Sequence, residues 1–337
     1  MKQMDYVAMS NRNIMMNDIM VERVEHVLTT DRKTAKCCFC GTSVKPTNGE
    51  RVTTPSHPRG LTLCDEHVEM CDTLDFSTYS QENTETVGKP TAKGLTCSFE
   101  LETTQNTTVA IASLCCDLGF FPSEDSSLGY RGIEYKSRIF NSLNSATKTL
   151  GTIEWLLENG YVNTLDRSCG GHIHTGFYND PVDFRGIYGS IEEYMETFGG
   201  LYSYLEKMPN DKMLQYFGRG FTNYARTIRK NAEGKWYMPQ HDGRGHLIND
   251  GEIWLYESNA YGNPVFNRPL TMRKIHSCVF NLQHSYSVEF RLPKFVSAVQ
   301  YRKCILAMQE VVDILRKYNF HGCGSNMVEV FKKYFPY

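Results

Sequence analysis

Four short segments alternate apolar and polar residues, and in each the polar positions carry chemistry. They are Phe99-Glu100-Leu101-Glu102, Gly132-Ile133-Glu134-Tyr135, Gly171-His172-Ile173-His174 and Val288-Glu289-Phe290-Arg291. On a strand, residues i and i+2 share a face. Glu100 and Glu102 therefore point one way, as do His172 and His174, and Glu289 and Arg291. A chain built this way folds around a sheet with a core face of Phe, Leu, Ile and Val and a second face of carboxylate, imidazole and guanidinium. Uniformly apolar strands would indicate a parallel sheet covered on both sides. The alternation predicts a mostly antiparallel sheet with one wet face and helices on the other. The fold class expected is α+β.

Between these strands the periodicity predicts helices over Thr107–Leu118, Ile139–Glu158, Val182–Lys207 (long or broken), Val296–Lys317 and Met327–Phe335. An amphipathic stretch at Asn17–Val27, with Ile19, Val21, Val24 and Val27, also reads as a helix. Residues 209–270 read as loop-rich, with strand-like pieces near 246–257. Residues 77–93 are polar and read as a linker. The expected organisation is an N-terminal segment over 1–80, a linker over 81–94 and a catalytic domain over 95–337.

The N-terminal segment carries a second pattern. Cys37-x-x-Cys40 is followed, after 23 intervening residues, by Cys64-x-x-His67. Two short ligand pairs separated by a loop supply the four donors of a closed tetrahedral Zn²⁺ site. Cys38, His57 and Cys71 are spare donors, and a chance cluster of reduced thiols is the competing reading. A structural zinc module over about 36–72 is expected. Its basic flanks (Arg32, Lys33, Lys36, Lys45, Arg51, Arg59) leave docking to RNA, DNA or protein open.

Composition excludes more than it assigns. Lys+Arg is 36 and Asp+Glu is 38, so no global charge favours nucleic acid or a membrane surface. No apolar run approaches the roughly 20 residues of a bilayer span, and the first residues do not read as a secretory signal. A cytoplasmic chain is expected, with its 12 cysteines as thiols or metal ligands.

Taken singly, each polar strand face has a plain explanation: a solvated acidic face, core histidines, a cross-strand ion pair. Together they match a known arrangement. Phe99-Glu-Leu-Glu102, then Asp125-Ser-Ser with Gly132-Ile-Glu134, then Cys169-Gly-Gly-His-Ile-His174, then Val288-Glu-Phe-Arg291 resemble, in order and rough spacing, the amidoligase family of carboxylate–amine ligases. That family has a glutamine synthetase-like fold, and the likeness covers about 200 residues. The resemblance implies a curved antiparallel sheet backed by helices. It implies that Glu100, His172 and Glu289 hold one Mg²⁺ (or Mn²⁺) and that Glu102 and Glu134 hold another. It also implies that His174 and Arg291 contact ATP phosphates. Arg219, with Tyr224 close behind, resembles a further nucleotide-binding element, and Asp125 matches a motif acid of open role. The zinc knuckle is an addition to the family plan.

The activity so implied is ATP-dependent ligation of a carboxylate to an amine through an acyl phosphate. The acid and amine could be small molecules, peptides or a modified base. Two other readings compete: a ligase-like scaffold without catalysis that binds protein or nucleic acid through its knuckle, and a ligase that joins an amino acid or polyamine to a nucleobase.

Overall fold

The computed structural model describes residues 93–103, 121–124, 128, 133–158, 164, 169–178, 182–241, 247–272 and 275–337. It also describes short strands at 20–24, 35–36, 43–44, 49–54, 57–63 and 86–87. Cys37, Cys40, Cys64, His67, Asp125 and the helix expected at Thr107–Leu118 lie outside the described residues. The chain forms two compact units. One contains Met1–Val87, Glu100–Ile139 and Asn144–Cys169; the other contains Gly88–Phe99, Phe140–Leu143 and Gly170–Tyr337. Each combines antiparallel strands with helix, so the class is α+β.

In the first unit, β1 (Met20–Val24), β2 (Gly49–Thr54) and β3 (His57–Leu63) form a three-stranded antiparallel sheet. This corrects the helix expected over Asn17–Val27. Pairing of Met20–Val24 with Gly49–Thr53 overrides a short apolar period that suits either structure. A second ladder is built from the C-terminal half of β4 (Leu95–Thr103) with β5 (Phe121–Glu124) and β6 (Ile133–Lys136). Leu101 pairs with Tyr135, and both are buried. The helix α1 (Leu143–Glu158) follows, burying Leu150 and Ile153. It starts four residues later than Ile139, because Ile139–Phe140 is itself a strand.

In the second unit, β7 (Gly171–Phe177) lies between the N-terminal half of β4 and the hairpin formed later by β10 and β11. The helix α2 (Ile191–Lys207) begins where the Ser190 hydroxyl accepts the Glu193 amide. That N-cap starts the second piece of the segment expected as long or broken over Val182–Lys207, the first piece being the 3-10 turn Phe184–Gly186. Residues 209–270 are more ordered than expected. They contain α3 (Asn210–Phe217) and the antiparallel pair β8 (Trp236–His241) and β9 (Leu247–Trp254). Strands β10 (Phe280–Asn281) and β11 (Ser287–Phe290) then pair tightly. The helices α4 (Ala298–Lys317), capped by Ser297, and α5 (Gly324–Tyr334) complete the unit. Among the described residues, no helix is long and apolar enough to cross a membrane.

The core of this unit sits on the apolar side of the β7–β10–β11 strands. The Phe280 and Phe290 rings stack at 5.2 Å. Phe198 of α2 meets Phe280, and Phe331 of α5 meets both rings. Each fully buried aromatic contributes roughly 2–3 kcal/mol of burial free energy. The Tyr194 hydroxyl adds a tie by donating to the Phe280 carbonyl at 2.8 Å.

One expectation about the sheet fails in an informative way. β7 was expected to have a wet face, yet all seven of its residues are buried. Its polar side is covered as well as its apolar side, so the imidazoles of His172 and His174 lie in the interior.

Candidate active site

The two units place their polar strand faces in different chemical surroundings. In the first unit, register alone assembles the carboxylates. Glu102 lies opposite Glu134, and Glu100 lies opposite Lys136. Directly opposed residues of an antiparallel pair share a face, so three carboxylates and one ammonium group share a surface. Lys136 Nζ reaches Glu134 Oε2 at 2.9 Å and Glu100 Oε1 at 3.8 Å. Burial, with Glu100 close by, pushes the Glu134 carboxyl up to about 8, although Lys136 pulls the other way.

In the second unit, Glu289 occupies the central strand of three. It pairs with His174 of β7 on one side and Asn281 of β10 on the other. Its side chain is fully buried. Every neighbour it meets is a donor. Arg291 Nη1 donates to Oε1 at 2.7 Å, and His172 Nδ1 lies 3.2 Å from the same oxygen. Asn281 Nδ2 donates to Oε2 at 2.7 Å, and His284 Nε2 lies 2.8 Å from it. Burial would raise this carboxyl, but the charge of Arg291, the His284 contact and the imidazoles of His172 and His174 outweigh it. Glu289 is held well below the usual carboxylate range. His174 Nδ1 lies 3.1 Å from Ser287 Oγ.

Within the first unit Glu100, Glu102 and Glu134 come together; within the second, His172, His174, Glu289 and Arg291 do. Arg219 stands behind the second group. Its Nε donates to the Leu292 carbonyl at 3.0 Å, and Nη2 donates to the Arg291 carbonyl. Its observed contacts brace the strand end that carries Arg291. Arg291 Nε in turn donates to the Tyr224 carbonyl at 2.9 Å. The basic residues Arg226 and Arg229 are engaged by Ser277 and Glu206.

Sequence reasoning missed Asn281 and His284. A signal for them existed. Phe280-Asn281 and Glu289-Phe290 are apolar–polar pairs flanking a short polar stretch, and a hairpin folded about residue 285 places Asn281 opposite Glu289.

No family model matches the chain, and no curated protein matches it. Among solved structures, the cryo-EM structure of Plasmodium falciparum glutamine synthetase aligns with a TM-score of 0.32 at 12% identity. The alignment covers 88% of this chain and 63% of the synthetase chain, so this chain spans less than two thirds of that neighbour's length.

Proposed function

We propose that this chain is an ATP-dependent carboxylate–amine ligase. The observation that carries the reading is the carboxylate ladder. Three acids share one face beside Lys136, and Glu134 is pushed up to about 8. Carboxylates gathered on one face offer oxygen donors to a divalent cation, and such a donor set suits Mg²⁺ or Mn²⁺. In this reading Glu102 and Glu134 supply donors to one divalent ion, and His172 with Glu289 supplies donors to another. The ions would neutralise charge on the β- and γ-phosphates of ATP.

The chain's own residues have these tasks. Arg291 stabilises charge on the transferring phosphoryl group, with its guanidinium fixed by Glu289 and the Tyr224 carbonyl. Arg219 keeps the Arg291 backbone in place. A substrate carboxylate oxygen attacks the γ-phosphorus, the bond to the β,γ-bridging oxygen breaks, and ADP leaves. The amine nitrogen then attacks the acyl carbon of the acyl phosphate and loses a proton, and phosphate departs. No G-x-x-x-x-G-K-[ST] loop occurs in the sequence, so phosphate binding falls to ions and basic side chains.

The test is calorimetric titration with a non-hydrolysable ATP analogue, with and without Mg²⁺, in wild type and Glu134→Ala. Binding that requires Mg²⁺ and is lost in the variant supports the reading. A wild type that does not bind removes it and leaves the chain as a binding scaffold.

A further inference from the structure

His174, His284 and Glu289 can each offer one donor atom such that all three atoms lie within 4.8 Å of one another. The geometry points to a transition-metal site of two imidazoles and one carboxylate, selective for ions such as Mn²⁺ over Mg²⁺. The inference rests on the reading that a divalent ion is held at Glu289, but it requires neither nucleotide nor ligation. It changes the ligand set: His174 becomes a metal ligand rather than a phosphate contact, His284 joins it, and His172 becomes a supporting contact on the second oxygen of Glu289.

Three features support the assignment. First, the donors converge. His284 Nε2 and Glu289 Oε2 are 2.8 Å apart, a hydrogen-bond distance, and neighbouring ligands on a metal with bonds of about 2.1 Å stand only slightly wider, roughly 3 Å apart. The two imidazole rings meet edge to face with centroids 4.6 Å apart, an approach that a shared ion rationalises. Second, the supporting contacts are those a metal centre uses. If the Ser287 hydroxyl, 3.1 Å from His174 Nδ1, accepts its proton, the lone pair falls on Nε2. The second oxygen of Glu289 is anchored by Arg291 and by His172. Third, the three donors differ in exposure. Glu289 is fully buried and His174 is buried, while the His284 side chain is 40% exposed. An ion there would keep a position for water or a substrate oxygen.

Selectivity follows from donor type. Mg²⁺ favours oxygen ligands, whereas imidazole favours first-row transition ions. The carboxylate ladder and this cluster would thus sort ions differently.

The experiment uses the full chain without nucleotide and Mn²⁺ as the probe, since thiolates elsewhere in the chain bind Mn²⁺ poorly. Protein-bound Mn²⁺ is counted by electron paramagnetic resonance under a large excess of Mg²⁺, which displaces ions held by oxygen alone. The expected result is one Mg²⁺-resistant Mn²⁺ per wild-type chain, with ¹⁴N modulation in the spin echo from directly bound imidazole. His284→Ala should weaken that ion at least about tenfold, because loss of even a supporting partner costs 10–100-fold. His284→Gln, closer in size, should weaken it as well, and circular dichroism checks that both variants are folded. Wild type without a Mg²⁺-resistant ion, an ion lacking ¹⁴N modulation, or equal retention in folded His284 variants would each overturn the site. Nucleotide binding is scored separately, so the metal site and the ligase reading can fail independently.

Discussion

Glu134 and Glu289 are both buried acids on the polar faces of strands, and their environments drive them in opposite directions. Glu134 shares its surface with two other carboxylates and one lysine, and its carboxyl rises to about 8. Glu289 is the more deeply buried, yet it is held low because an arginine, an asparagine and imidazoles surround its two oxygens. Burial raises both acids; at Glu289 the charged and hydrogen-bonding partners outweigh it, and at Glu134 they do not. The first region gathers three acids beside a lysine, and the second surrounds one acid with nitrogen groups.

The comparison predicts a large asymmetry on mutation. Glu289→Ala leaves Arg291, Asn281 and His172 without their buried anion, and it should cost about 3–5 kcal/mol of folding stability. Urea denaturation measures it; a loss under about 1 kcal/mol would show that the Glu289 network is not the keystone of its region.

The next effect is in pH dependence, where the two acids pull in opposite directions. For Glu134 the folded value, about 8, lies above the ordinary carboxylate value of 4.5. Its contribution is present below the ordinary value and is lost as pH rises through about 8. For Glu289 the folded value is depressed. Its contribution is present above the ordinary carboxylate range and is lost as pH falls below it. Metal-free protein should lose melting temperature on both limbs. Added Mg²⁺ should flatten the alkaline limb, and Glu134→Gln should remove it. An alkaline limb unchanged in Glu134→Gln would assign that titration to another group.

Smaller changes sharpen the contrast. Tyr301 donates its hydroxyl to the His172 carbonyl at 3.1 Å within the second unit. Tyr301→Phe should cost about 0.5–1.5 kcal/mol, read by the same denaturation. Smallest of all, Glu134→Gln should change stability at neutral pH by less than about 1 kcal/mol, since a carboxyl raised to about 8 is largely protonated there and the amide replaces one neutral group by another. A large loss there would mean that the lysine already compensates the cluster.

The strand faces were legible because a period of two is local: Glu100 with Glu102, His172 with His174, and Glu289 with Arg291 each share a side by geometry alone. What surrounds them was not legible. The fully buried polar side of β7 depends on chain elements distant in sequence, and no pattern within GHIHTGF encodes it. Helix limits moved where one side chain acted as a cap, as at Ser190 and Ser297. The N-terminal stretch became a strand because its partner lies about 30 residues on, at Gly49–Thr54. His284 sits in a turn with no period to mark it, so only the hairpin register could have found it.

The attachment of β7 to α4 bears on timing as well as stability. A Cβ at Gly171 would stand 3.0 Å from both the Phe295 nitrogen and the Tyr301 ring, and the Gly171 amide donates to the Pro293 carbonyl at 2.8 Å. With the Tyr301 hydroxyl on the His172 carbonyl, the histidine strand is fastened to the segment leading into α4 and to the helix itself. Such a strand opens to solvent only when its neighbours open with it. The amides of His172 and Ile173 should thus exchange with deuterium as slowly as those in the middle of α4. The imidazoles of His172 and His174 would be carried by one of the slowest-opening parts of the chain, and that of His284 by a half-exposed bend.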